Sequence, residues 1–230
     1  MPRRAARWLV AGALSLAAVG IAVQPVTSPL VTKSLSGAFS RGGEAGLPDD
    51  LMAALAEQVR AFVVSGDGTL PEEVGGRSGF DARAVRHLED VAGVLAAGRM
   101  ATWGLVGALV VLAAYSLARL RADAVAAVLS RGGWLAVALP AVAALLGIVS
   151  FDALFSGFHA VLFPSGTWTF PSDSLLILLF PEEFWIACAG LWAAFTTAVG
   201  LACVIAAGVL KRVAGGRARP APERDAPASS

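Results

Sequence analysis

The chain has two histidines, His87 and His159. Histidine is the side chain whose ordinary pKa lets it take and give a proton near neutral pH. Asp90 follows His87 by three residues, and Asp152 precedes His159 by seven, so each ring has a carboxylate at helical spacing. Arg83 stands one turn before His87. Two such histidines can act as general base and general acid. Spacing alone suits two solvated or capping histidines better, because pairs this sparse arise by chance. Other chemistries stay open. The histidines with Asp90, Asp152 or Asp173 could hold zinc, although neither HxxxH nor HExxH is present. Ser156 with His159 could form a nucleophile and base, although there is no GxSxG elbow. Asp173 more simply caps a short helix starting at Ser174, and Glu182 and Glu183 complement a helix dipole. Gly42–Gly43 and Gly75–Gly76 lack a following phosphate-binding pattern.

The elements that must position these residues belong to a membrane protein. Apolar residues make up 57% of the 230 and charged residues 15%, with a mean hydropathy of +0.70. Soluble domains carry about 25% charged residues, and a chain this apolar cannot cover itself with polar surface. A net charge of +1 gives no electrostatic footprint for nucleic acid. Four apolar stretches stand out: Trp8–Val23, Ala101–Ala118, Gly132–Phe151 around Pro140, and Phe184–Leu210. Crossing the hydrocarbon core takes roughly 20 apolar residues, with a lower limit near 17. The first stretch is the shortest, and its basic start also suits a cleaved signal peptide. We expect an all-α membrane protein with four spans, at about 7–24, 101–118, 132–152 and 184–210. Residues 1–213 then form an integral membrane domain, and 214–230, rich in Gly, Pro, Ala and Arg, a disordered cytoplasmic tail.

Lysine and arginine collect on the cytoplasmic side of membrane proteins. With the N-terminus inside, the inner segments hold eleven basic and three acidic residues. The outer segments, counted as 24–100 and 152–183, hold seven basic and fourteen acidic ones. Both termini are therefore expected in the cytoplasm, and both histidines on the outer face. Cys188 and Cys203 stand fifteen residues apart on one helix. At about 1.5 Å per residue they are too distant to bridge.

The outer segments read as a small helical region. Asp49 or Asp50 caps a helix with Leu51, Leu55, Val59 and Phe62 on one face and Gly66 as its stop. Residues 25–46 show turn residues and little periodicity, and 68–79 read as a loop. Asp81 caps a second helix that carries His87 and joins the second span near Arg99, with Phe80 and Val85 as a hydrophobic staple. If the third span continues to Leu162, Asp152, Ser156 and His159 stack on one face. Ser174–Phe180 is too short to cross and should lie in the interface or dip in as a re-entrant segment. Pro181 with Glu182 and Glu183 starts the fourth helix.

Several of these pieces, taken in order, resemble a known family. They are Arg86-His87-Leu88-Glu89-Asp90-Val91, then Phe158-His159, Phe163, Trp168, Asp173 and Phe180-Pro181 ahead of Phe184. The pattern is similar to that of the bacterial lipoprotein intramolecular transacylases, four-span integral membrane proteins. That family has a His-Leu-x-Asp-Val element before the second span. An F-H element, a Trp, an Asp and an FPxxFF-like element lie between its third and fourth spans. Residues 25–79 depart from the pattern. The resemblance implies an acyltransferase of the outer leaflet of the bacterial plasma membrane that uses no cofactor. Its substrates would be lipoproteins whose N-terminal cysteine carries a thioether-linked diacylglyceryl group. The sn-2 acyl chain would move to the cysteine α-amino group, leaving a lyso-form lipoprotein. The family's two functional histidines correspond to His87 and His159.

The chemistry suits those side chains. An α-amine titrates at about 7.7–8.0 and is mostly protonated at neutral pH. One neutral histidine can remove that proton, and a second can protonate the departing glyceryl oxygen. Arg83 beside His87 would favour its neutral form, which suggests His87 as base and His159 as acid. Two rival classes remain: a non-enzymatic membrane protein whose outer loops form a docking surface, and a lipid hydrolase or zinc enzyme.

Overall fold

The computed structural model describes residues 3–119, 121–163 and 166–217. In chain order the elements are α1 (Arg3–Val26), α2 (Pro29–Phe39), α3 (Gly42–Ala45) and α4 (Asp49–Ser65). A small antiparallel hairpin of β1 (Glu73–Val74) and β2 (Arg77–Ser78) follows, with Glu73 opposite Ser78. Then come α5 (Ala82–Ala118), α6 (Ala122–Val149), α7 (Phe151–Leu162), α8 (Leu175–Leu179) and α9 (Glu182–Arg217).

Helices α1, α5, α6 and α9 are each long and apolar enough to cross a membrane. Their large apolar side chains face outward, among them Trp103, Val111, Ile148, Val149 and Ile205. In water that surface would drive association, whereas lipid covers it at no cost. The bundle therefore draws its cohesion from close backbone approach. The tightest crossing joins α6 to α9 at Gly133 and Gly200. A methyl group built on Gly200 would lie 2.7 Å from the carbonyl oxygen of Gly133, and one on Gly133 2.5 Å from that of Gly200. Gly20 of α1 leaves room for the Thr102 side chain of α5. Gly200→Leu is expected to weaken the bundle by about 1–3 kcal/mol, the usual cost of overpacking. Gly208→Ala, which meets nothing within 4 Å, should leave it unchanged. Thermal unfolding in detergent separates the two, and equal midpoints would remove the crossing from the account.

At 37 residues, α5 is about 55 Å long at 1.5 Å per residue, far more than the ~30 Å hydrocarbon core. Its apolar stretch, 101–118, fills the second half, and residues 82–100 form a more polar first half. Asp81 begins it as foreseen, accepting from the amide of Ala84 at 2.7 Å. Around the projecting half lies a separate core. It joins Met52, Leu55 and Val59 of α4, Phe80 and Leu88 at the start of α5, Leu175 and Leu179 of α8, and Phe184 of α9.

Several sequence expectations change here. Residues 25–46 are largely helical, because Ser28 caps α2 with Pro29 at its first position, a signal that the weak periodicity hid. Pro48 precedes α4, so Asp49 and Asp50 serve its first turn and not its cap. The third long helix starts at Ala122, not Gly132, and does not run through to Leu162. It ends at Ser150, whose side chain caps α7 by accepting from Ala153, so α7 is a separate helix. The leucines of α8 pack into protein, with Leu175, Leu178 and Leu179 all buried. Each such side chain contributes roughly 1.5–3 kcal/mol, which holds the segment in this core. Ser174, not Asp173, caps it. The fourth helix starts as expected at Glu182 but runs on to Arg217, and the remainder of the foreseen tail lies outside the described residues.

Candidate active site

His87 sits in the second turn of α5 and His159 in the last turn of α7. The fold brings the two rings together, with centroids 6.1 Å apart and planes tilted by 33°. Both are buried, at 7% and 9% exposure, though histidines at a helix end facing water would be open. Aromatic side chains enclose them. Phe163 stands edge-on to His87 at 5.0 Å and lies 5.6 Å from His159. Phe170 flanks His87 at 5.7 Å. Trp168, Phe155 and Phe158 surround His159 at 5.2, 4.0 and 5.6 Å.

This enclosure sets the electrostatics. Burial pushes the pKa of His87 below the ordinary histidine value, the neighbouring His159 adds to the fall, and the Asp90 carboxylate opposes it. Burial also lowers His159, against the hydrogen bond to the Phe155 carbonyl. Both rings are therefore neutral at pH 7, and the main cause is desolvation, not Arg83. The Arg83 guanidinium instead lies over the Phe170 ring at 5.1 Å.

The hydrogen bonds sort the remaining residues. His159 Nδ1 lies 2.9 Å from the carbonyl oxygen of Phe155. A carbonyl can only accept, so Nδ1 carries the proton and Nε2 of the neutral ring is a bare acceptor. The foreseen orienting partner, Asp152, is exposed in the first turn of α7, and the helix's own carbonyl takes that place. Asp90 accepts from Thr167 Oγ1 at 3.4 Å, linking α5 to the segment that carries Trp168. Asp173 contributes its backbone carbonyl to Arg77 Nη2 at 2.6 Å. His87 Nδ1 is buried and has no hydrogen-bond partner among the described residues. Of the aromatic walls, Phe158, Phe163 and Trp168 stand in the sequence motif, while Phe155 and Phe170 are not singled out there. Phe155 was legible as the residue one turn before His159. Phe170 was not, because it reaches His87 from a segment without periodicity.

Comparison with known proteins places this geometry. The profile of the family described as "Lipoprotein intramolecular transacylase Lit" matches residues 53–185, more than half of the chain and both histidines. The chain belongs to the Lit family. It is thus an enzyme of the lipoprotein intramolecular transacylase class, with four helices long and apolar enough to cross a membrane. Its fold is that of solved Lit structures. The membrane integral lipoprotein intramolecular transacylase Lit from Bacillus cereus, solved in meso, superposes with a TM-score of 0.75 at 19% identity, covering 92% of this chain and 96% of that one. A histidine-to-arginine variant of the Bacillus cereus protein gives 0.72 at 18% identity, covering 94% of each chain. Its histidine-to-alanine counterpart gives 0.70 at 18%, with 92% and 94% covered. No curated protein matches the chain by sequence. The Lit match begins inside α4, so α1 to α3 lie outside it.

Proposed function

We propose that this Lit-family chain moves the sn-2 acyl chain of a diacylglyceryl-modified lipoprotein onto the α-amine of its N-terminal cysteine. The observation that carries this reading is the buried pair His87 and His159, with rings 6.1 Å apart. In the proposed step the cysteine ammonium first gives up its extra proton. The amine then attacks the sn-2 ester carbonyl, the C–N bond forms and the C–O bond to glycerol breaks. The second amine proton passes to the glyceryl oxygen. The product is an isomer of the substrate, so no co-reactant is consumed. Holding donor and acceptor of one molecule in attack geometry supplies most of the advantage, since effective molarities reach about 10⁵–10⁸ M in such cases.

The hydrogen bond of His159 supports the order opposite to the one suggested by sequence. With Nδ1 committed to Phe155, the bare Nε2 of His159 is the base that takes the ammonium proton, and His87, neutral at rest, relays the second amine proton, taking it up as the C–N bond forms and giving it as the acid to the leaving oxygen. Asp90 acts on His87 through its charge, and Thr167 steadies Asp90. Arg83, Asp152 and Asp173 have no proton-transfer role in this scheme.

The proposed setting is the bacterial plasma membrane, with residues 1–213 as one integral membrane domain and both termini in the cytoplasm. Residues 25–100 and 153–183 then form a small helical extracytoplasmic region, with α8 held near the membrane interface by its protein core. The charge asymmetry of the segments supports this orientation. Asp67→Cys and Ser172→Cys, both at exposed positions, should react with an impermeant thiol reagent in intact cells. Labelling only after lysis would reverse the topology.

The function is tested on lipoprotein N-terminal peptides from cells that lack any other N-acyltransferase. With the chain present, fragmentation should place one acyl group on the cysteine nitrogen at unchanged total mass. Loss of an acyl mass would instead indicate a hydrolase, and inhibition by chelators a metal enzyme. Peptides identical with and without the chain would leave a non-enzymatic docking role.

A further inference from the structure

A cavity neighbours the histidine pair through Phe170. It measures about 540 Å³ and lies between α3, the hairpin, the start of α5 and the segment leading into α8. That falls within the roughly 300–1,000 Å³ of typical ligand pockets. Arg77, Asp81, Arg83, Phe170 and Asp173 are among its walls, and none of its lining comes from the apolar spans. Phe170 belongs to both sites. Its ring lies 5.7 Å from the His87 ring and carries the Arg83 guanidinium at 5.1 Å. A guanidinium stacked on an aromatic face keeps its in-plane N–H edge for acceptors. Arg83 makes no ion pair among the described residues. Arg77 is pinned by the carbonyls of Ala45 and Asp173, at 2.9 and 2.6 Å, which ties the hairpin to the far wall.

We infer that this groove holds the first residues of the lipoprotein polypeptide that follow the modified cysteine. The inference rests on the transacylase reading above. Three branches leave the substrate cysteine within a few bonds of the reacting atoms. The amine must reach the histidines. The glyceryl group must point its acyl chains to lipid. The carboxyl side must continue as polypeptide into water, so it needs a polar exit next to His87 and away from the spans. The groove meets both requirements. Its alternating charges, Arg77 and Arg83 against Asp81 and Asp173, match the donors and acceptors of an extended backbone. A lipid headgroup would need only a cationic site, and these carboxylates oppose an anionic one.

The test compares a diacylglyceryl-cysteine pentapeptide with diacylglyceryl-cysteine amide, which lacks the following residues. Wild-type enzyme should favour the pentapeptide about tenfold or more in kcat/KM. Arg83→Ala, and Ser78→Trp, which fills the exposed side of the groove, should both bring that ratio close to one. A wild-type ratio near one overturns the inference. So does a variant that slows both substrates equally, because Arg83 would then act through Phe170 on His87. A pentapeptide with a benzophenone side chain at its second residue gives a readout independent of turnover. It should cross-link to residues 77–84 or 170–176. Cross-links confined elsewhere overturn the groove even if transacylation is confirmed. Correct cross-links without acyl shift would keep the groove and sink the reaction. If anionic vesicles abolish the cross-link while the ratio stays near one, the occupant is a headgroup and not a peptide.

Discussion

Replacing either His87 or His159 by alanine should cut the acyl shift by about 10²–10⁴-fold, the usual contribution of one general acid or base. Each ring handles a different proton, so neither can stand in for the other. The two losses should also be far from additive, since the second proton transfer is worthless without the first. Both variants should still accumulate, because the rings lie at the edge of the outer core and the bundle crossings are remote from them. Ser156→Ala should keep most of the activity, as the substrate amine is the nucleophile. Asp152→Asn should do so too, because the Phe155 carbonyl and not Asp152 holds His159. Full activity in either histidine variant, measured on a diacylglyceryl lipopeptide in mixed micelles, would refute the proton-transfer scheme.

Acid should be tolerated further than an ordinary histidine allows, and then activity should fall about tenfold per pH unit. The sign follows from the environment. Burial lowers the pKa of both rings, so each stays neutral as pH falls through the ordinary value of about 6.5 and takes up a proton only below it. Protonated His159 has no lone pair at Nε2, and turnover stops. The acid limb of kcat/KM should therefore lie below 6.5. Asp90→Asn removes the charge that opposes the fall at His87, so the His87 titration in that variant should move to still lower pH. Ring-proton NMR of detergent-solubilised enzyme reads that shift directly. An acid limb above 6.5, or a titration that rises in Asp90→Asn, would contradict the desolvation account.

The family and much of the membrane architecture were legible before any coordinates. Four long uncharged, mostly apolar stretches in a chain with only 15% charged residues leave too little polar surface to cover them in water. The Asp81 cap, the Gly66 stop and the start at Glu182 were readable because each depends on residues within one turn. Helix α2 escaped for a related reason. Its cap was present in Ser28-Pro29, but the two residues it buries, Thr32 and Ser36, are polar while Leu30 is exposed, so no apolar stripe marks it.

The two histidines were named from sequence, and so was the pairing of each with a nearby carboxylate. The fold brings the two rings to 6.1 Å and keeps only one of the two carboxylates near its ring. Asp90 does act on His87, yet His159 turned to its own helix, since Phe155 offers an acceptor at the standard i−4 distance while Asp152 faces outward. Helical spacing predicts which side chains share a face but not which backbone atom a ring will choose. The helix break at Ser150 was equally hidden, because serine is tolerated within a helix and becomes a cap only where the chain must turn.

The sequence by itself determined that this is a helical membrane protein with two histidines as its proton-transfer candidates, because hydropathy and residue type act locally along the chain. The tertiary structure alone decided that the rings meet, that aromatic walls keep them neutral, and that Phe170 links them to a polar groove. Those properties depend on distances between segments more than seventy residues apart, and on desolvation, which no single segment can create for itself.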